Sequence, residues 1–269
     1  MARVFGVRQR RVILMKHTAL KGDAVAMTAR AKNQEAIQVL TLETDETAQW
    51  LRLDAQASLQ AVCEAPTGPD MFRRSLDDTL NQPSRSAITV EQVVRSPDLA
   101  PQWIAALLAL GARVSFFEEP QEVTLADFLR CVGPYHGRIA AVHVLMNVLG
   151  SVSGEAYLMS RGADAPVMAA LVVVVLTEGF VRQARLALTG VWCEPARLAD
   201  SADLLVGGPL IIRRIRRAAE AVEQEVAPHD DVPGNAGYRR AMAGVLTYCA
   251  LEQCRTRSQH SMCKQPINP

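Results

Sequence analysis

Two groups of side chains near the C-terminal end carry the residue types that acid–base or metal chemistry needs. His229-Asp230-Asp231 could act as an acid/base set or hold a metal, and Cys254, His260 and Cys263 could ligate a metal ion. The His-Asp-Asp segment is better explained as a turn before a helix, and the cysteine–histidine group has no obvious fourth ligand. The sequence therefore predicts neither a metal site nor a catalytic set here.

The motifs of self-contained enzymes are absent from the sequence. No GxSxG, HExxH, P-loop or GxGxxG pattern occurs with the structural context that it requires. The six cysteines form no CxxC pair, which argues against a disulfide framework, a zinc site and an iron–sulfur cluster. We therefore predict no catalytic residue and no bound metal.

The composition is that of a globular protein. The chain has 269 residues, of which 49% are hydrophobic and 21% charged, enough for one large domain or two smaller ones. A formal net charge of +1 argues against nucleic acid as a main partner. The longest apolar run, residues 167–176, is shorter than the roughly 20 residues that cross a bilayer, and no export signal is visible. We therefore expect a soluble, cytoplasmic protein without a membrane partner.

Helix and strand signals alternate in the first half of the chain. Residues 101–110 predict a helix that Gly111 ends, and residues 113–117 predict a strand. Thr124, followed three positions later by an aspartate, predicts the start of another helix. Residues 88–94 fit a strand or a helix equally well.

The second half begins with strands and ends with helices. Residues 166–176 and 181–188 predict an antiparallel hairpin that turns at Glu178-Gly179. Residues 195–205 predict a helix. Strands followed by segregated helices indicate an α+β domain that begins near residue 150.

A long helix is predicted near the C-terminus. It follows a turn at Pro233-Gly234-Asn235, and Tyr238, Met242, Val245 (or Leu246) and Cys249 recur in it at helical spacing. This spacing predicts that these side chains lie on the apolar face of the helix.

The segment Ala227–Leu251, which contains this helix, resembles a known family. Its acidic pair, its small-residue turn and Tyr238-Arg239-Arg240 resemble the closing segment of the flavoprotein subunits of molybdenum hydroxylases, the carbon monoxide dehydrogenase and xanthine dehydrogenase group. Other motifs of those subunits occur in the same order, so that the resemblance covers about residues 100–255. These motifs are Ala105–Val114, Leu125–Leu129, Ser160–Ala165, Ala184–Val191, Pro195–Leu198 and Leu204–Gly207.

The resemblance implies a fold and a domain organisation. It implies an α+β protein in which residues 1–149 form a vanillyl-alcohol-oxidase-type (PCMH-type) FAD-binding domain. Residues 150–255 would form a C-terminal domain of the CO dehydrogenase flavoprotein type, an antiparallel sheet with helices, and residues 256–269 a polar tail.

The resemblance also implies where FAD would bind. In the family, two glycine-rich turns hold the FAD pyrophosphate through bare backbone N–H groups. The first turn, alanine-glycine-glycine-threonine, matches residues 15–20, which keep Thr18 and replace both glycines. Lys16 and His17 could contact phosphate there through their charge, although a solvated loop explains this basic pair better.

The second family turn, threonine-isoleucine-glycine-glycine-asparagine, matches residues 89–93. This chain keeps Thr89, but Glu91 replaces a glycine and adds a negative charge where a pyrophosphate would lie. Ala55 and Asp98 match two further positions of the family. The FAD contacts implied by the resemblance are Lys16, His17, Thr18, Ala55, Thr89 and Asp98.

Two functions follow from the resemblance. The first is a flavoprotein subunit that relays electrons from iron–sulfur clusters through FAD to an acceptor such as NAD. The second is a structural or assembly subunit on the same fold, without flavin. Both imply a complex with a molybdopterin-binding large subunit and a [2Fe–2S] small subunit, and the replaced glycines leave both open.

Overall fold

The computed structural model describes residues 40–44, 49–77, 79–118, 121–130, 137–146, 148, 150–159, 165–229 and 235–262. Five strands form an antiparallel sheet in the first half, in the spatial order β1-β2-β5-β3-β4. These strands are β1 Leu40–Thr44, β2 Gln49–Asp54, β3 Arg113–Phe116, β4 Val123–Thr124 and β5 Ile139–Met146.

A second antiparallel sheet forms in the second half, in sequential order. Its strands are β6 Ser151–Met159, β7 Pro166–Thr177, β8 Phe180–Thr189 and β9 Ala196–Leu198. The β7–β8 hairpin confirms the sequence prediction. Its two turn residues, Glu178 and Gly179, have φ angles of 52° and 81°, the left-handed conformation that suits the twist of a tight hairpin.

Eight α-helices complete the described fold, which is α+β as predicted. They are α1 Leu59–Glu64, α2 Asp70–Asp77, α3 Gln82–Ala87, α4 Val90–Arg95, α5 Pro101–Ala109, α6 Leu125–Arg130, α7 Ile212–Glu225 and α8 Ala236–Met262. Within the described residues, no helix is long and apolar enough to cross a membrane.

Helix α5 lies between the two sheets. Residues 102–109 of this helix are all buried, and the helix packs against β7, β8 and β9. Alternate residues of β7 point into two different hydrophobic cores. Ala169, Leu171 and Val173 belong to the core that contains α5. Val172 and Val174 belong to the core that contains residues of α7 and α8. The second sheet is therefore covered on both faces.

The predicted helix over residues 195–205 is wrong. Residues 196–198 form β9, which pairs with β8, and only Asp200–Leu205 turn into a short 3-10 helix. The carboxylate of Glu225 accepts hydrogen bonds from the N–H groups of Asp200 and Ser201, both at 2.8 Å. A side chain 25 residues away in the sequence thus fixes this turn, which a local pattern does not reveal.

The predicted apolar face of α8 is correct only at Leu246, which is buried, while its alternative Val245 is exposed. Tyr238 and Cys249 are also exposed, and the small residues Ala243 and Ala250 are buried instead. Helix α8 packs on α7, β6 and β7, and small side chains allow this close approach. The prediction relied on the spacing of large apolar side chains and therefore left out the alanines. The helix also continues to Met262, past the predicted boundary at residue 255.

Candidate cofactor site

Two segments that the sequence separates meet beside the first sheet. The loop after β2 lies against the turn that starts α4: the N–H of Glu91 donates to the carbonyl of Ala55 at 2.9 Å, and the N–H of Val90 donates to the carbonyl of Ala57 at 3.0 Å. A cavity of about 640 Å³ opens next to this contact, and Gln56, Thr89, Glu91 and Arg95 are among the residues that line it. This is the place where the family resemblance locates the second FAD turn.

Thr89 begins a regular helix here. Its Oγ1 accepts from the N–H of Gln92 at 3.4 Å, and Gln92 Oε1 accepts from the N–H of Thr89 at 2.9 Å, which together form a capping box. The four consecutive N–H groups of residues 89–92 therefore all have acceptors inside the protein. A phosphate cradle needs such groups to be free, because they are its donors.

Glu91 occupies the centre of the local polar network. Its Oε2 accepts from Gln56 Nε2 at 2.9 Å, and its Oε1 accepts from Arg95 Nε at 3.0 Å and from the N–H of Ile139 at 3.4 Å. The carboxylate thus joins the loop after β2, helix α4 and strand β5. It takes donors that an anionic ligand would otherwise use, and its own charge would repel a phosphate about 4 Å away by roughly 1–4 kcal/mol.

The other predicted contacts lie in different settings. Ala55 is fully buried, its N–H donates to Ala140 and its carbonyl accepts from Glu91, so both of its backbone groups are engaged. Asp98 is exposed in a 3-10 turn, Pro97–Leu99, and does not line the cavity. Lys16, His17 and Thr18 lie outside the described residues. The structure thus brings Ala55 and Thr89 together and leaves Asp98 apart.

The described part of the site does not fit the pyrophosphate of FAD. At residues 89–92 the donors are used within the protein, and a glutamate and a glutamine stand where the family has glycines. The sequence reading missed Gln56 and Arg95. Arg95 could have been found, because Glu91 and Arg95 have the spacing of a helical ion pair.

Replacing Glu91 with alanine is expected to lower the free energy of unfolding by about 2 kcal/mol, because three donors lose a charged acceptor and one of them belongs to the buried residue Ile139. Urea unfolding followed by circular dichroism measures this loss. The exposed Glu220 on α7 offers a matched control, and its alanine variant should stay within about 0.5 kcal/mol of the parent. Equal losses in the two variants would show that the Glu91 network contributes nothing to stability.

The histidines and cysteines considered first form no metal site in the described part of the chain, where no group of three or more possible ligands occurs. His229 instead lies 3.5 Å from the Sγ of the exposed Cys193, a pairing that the sequence reading missed because 36 residues separate them. His143 is buried, and its Nε2 lies 3.0 Å from Ser115 Oγ. Asp230, Asp231 and Cys263 lie outside the described residues.

The segment that carried the family resemblance has a structural role. Asn235 Oδ1 accepts from the N–H of Tyr238 at 2.7 Å and caps α8. The buried Arg239 reaches back to the second sheet, where its Nη1 donates to the carbonyl of Gly190 at 2.6 Å. The Tyr-Arg-Arg segment therefore attaches α8 to the end of β8.

Sequence comparisons identify relatives of this chain. The CO dehydrogenase flavoprotein C-terminal domain family matches residues 156–254. The nicotine 6-hydroxylase medium subunit of Paenarthrobacter nicotinovorans is 27% identical over 165 residues. That match covers 60% of this chain and 58% of the relative, so it spans little more than half of the relative's length.

Solved structures share the fold. Carbon monoxide dehydrogenase from Hydrogenophaga pseudoflava, in a form that lacks the Mo-pyranopterin moiety, matches with a TM-score of 0.67 at 21% identity, over 80% of this chain and 78% of that one. Quinoline 2-oxidoreductase from Pseudomonas putida 86 matches with a TM-score of 0.67 at 18% identity, over 81% and 78%. At these identities the likeness establishes the fold alone.

The domain match and the relative agree with the motifs in the sequence. Residues 156–254 therefore match the CO dehydrogenase flavoprotein C-terminal domain, and these comparisons support the resemblance of the chain to the FAD-binding, or medium, subunits of molybdenum hydroxylases.

Proposed function

We propose that the chain is the medium-type subunit of a molybdenum hydroxylase complex and that it holds the partner subunits without binding FAD at the Thr89 turn. The partners would be a molybdopterin-binding large subunit and a [2Fe–2S] small subunit in the cytoplasm. One observation carries this proposal: the N–H groups of residues 89–92 are all used inside the protein, and Glu91 supplies an internal anion beside them.

The competing function is an FAD-dependent electron relay to an acceptor such as NAD. Its support is the relationship to flavoprotein subunits and the retained Thr89. In that case Lys16, His17 and Thr18 would hold the pyrophosphate in place of the second turn. FAD would supply the redox chemistry, and the protein would bind and orient it.

The two functions differ in flavin content. The tagged chain should be isolated from its native host together with bound partners, and released flavin should be measured by fluorescence after acid extraction. Acid extraction avoids interference, because iron–sulfur clusters absorb in the same visible region as flavin. The proposal predicts molybdenum and iron in the complex and no stoichiometric flavin.

The isolated chain provides the second half of the test. We expect that added FAD produces no saturable change in flavin fluorescence. Stoichiometric flavin in the complex, lost when Lys16 and His17 are both replaced with alanine, would contradict the proposal and establish the relay. A chain that recovers no molybdenum-containing partner would contradict both functions.

A further inference from the structure

A second cavity, of about 430 Å³, opens at the edge of β8, far along the chain from the Thr89 turn. Strand β9 pairs only with residues 187–189 of β8. The backbone of Val181 forms hydrogen bonds with Gly207 and Gly208. The edge of β8 between Val181 and Leu186 therefore faces the cavity and not another strand.

Three arginines line this cavity: Arg130 at the end of α6, and Arg182 and Arg185 on β8. Within the described residues, none of the three has a hydrogen bond or an ion pair. Asp200 and Asp203 also line the cavity, and Asp200 lies 4.0 Å from Arg197. The lining therefore contains guanidinium donors that no acceptor in the described part of the chain uses.

Arg185 is the most buried of the three. Its guanidinium packs over Gly111, where an added Cβ would lie 2.7 Å from Arg185 Cζ, so the end of α5 holds it in place. Burial lowers the pKa of Arg185, and the nearby positive charge of Arg113 lowers it further. The Arg185 guanidinium is therefore partly removed from water and lies near a second positive charge.

We propose that this cavity binds a small oxyanion, a phosphate or carboxylate group, through Arg130, Arg182 and Arg185. Planar guanidinium groups present paired N–H donors that match the oxygens of both groups. An anion at this place would give the three arginines the acceptors that the described protein does not supply. The proposal is independent of flavin binding and of the partner subunits.

Calorimetric titration of the isolated chain with inorganic phosphate, and separately with malonate, tests the site. We expect saturable binding of at least one of these oxyanions. Tighter binding of phosphate would identify the ligand as a phosphate compound, and tighter binding of malonate would identify it as a carboxylate. Arg185→Gln should weaken binding by roughly tenfold or more, and Arg185→Lys, which keeps the charge but loses the planar fork, by less. Arg216→Gln, on the exposed side of α7, is the matched control and should leave binding unchanged.

Variants of Arg130 and Arg182 provide a second test in case the Arg185 variants fold poorly. Both side chains are exposed, so Arg130→Gln and Arg182→Gln should fold normally and still weaken binding several-fold. Binding that is equal in all these variants, or that chloride at the same ionic strength abolishes, would overturn the proposal.

Discussion

Replacing Gly154 with alanine is expected to lower the free energy of unfolding by about 3 kcal/mol. Gly154 lies in β6, directly beneath α8, and an added Cβ would overlap the carbonyl oxygen of Ala250 and lie 3.1 Å from Cys254 Sγ. Both neighbours are buried in the second core. A backbone carbonyl inside a helix cannot rotate away, so the helix itself would have to move off the sheet.

Gly207 supplies a control that separates steric overlap from backbone strain. Its φ angle is 79°, which disfavours alanine, but nothing lies within 4 Å of an added Cβ. Gly207→Ala should therefore cost about 1 kcal/mol through strain alone. Urea unfolding followed by circular dichroism measures both variants. A Gly154→Ala loss no larger than the Gly207→Ala loss would show that α8 can shift on the sheet without cost.

The sequence correctly predicted those turns and helix ends that depend on residues close by in the chain. The Glu178-Gly179 turn, the end of α5 shortly before Gly111 and the start of α6 after Thr124 all follow from contacts within a few positions. For example, Thr124 Oγ1 accepts from the N–H of Asp127 at 3.1 Å. In these three cases the residues that determine the backbone conformation lie within a few positions of one another, so the local sequence is enough to predict it.

Long-range polar contacts account for what the sequence did not predict. Glu91 contacts Gln56 and Ile139, 35 and 48 residues away, and Arg239 reaches Gly190 across 49 residues. No local pattern encodes these pairings, because the partners lie tens of residues apart in the sequence. The resemblance implied FAD contacts at both Ala55 and Thr89, and the structure places their two segments together, but the engagement of the N–H groups of residues 89–92 became visible only in the structure.

The resemblance and the structure therefore inform different parts of the site. The family motifs lie mainly in the second half, where α8, β6 and β8 make the contacts that hold the domain together. The cofactor positions that the resemblance implies lie in the first half, where Thr89 caps a helix and the Glu91 carboxylate stands in place of a glycine. Shared motifs in one half thus do not determine whether the other half binds the cofactor.

Trp103→Ala is expected to be the most destabilising substitution in the first core, with a loss of about 4 kcal/mol. Trp103 is fully buried on α5, and its ring lies 6.0 Å from the ring of Phe72. Removing the indole would leave a cavity at the helix that joins the two sheets. Because α5 packs against both halves of the fold, we expect the two sheets to unfold in one transition at a lower urea concentration.

Trp103→Phe distinguishes packing from hydrogen bonding at this position. The buried Nε1 of Trp103 has no acceptor within the described residues, so phenylalanine keeps most of the packing and removes a donor whose burial without a partner costs about 1–3 kcal/mol. This gain should offset much of the lost volume, and we expect a net change within about 1 kcal/mol of the parent. If Trp103→Phe were as destabilising as Trp103→Ala, the indole N–H would have to bond to a group in the remainder of the chain. The order of stability of the three proteins, measured by urea unfolding, thus tests whether α5 is held between the sheets by packing alone.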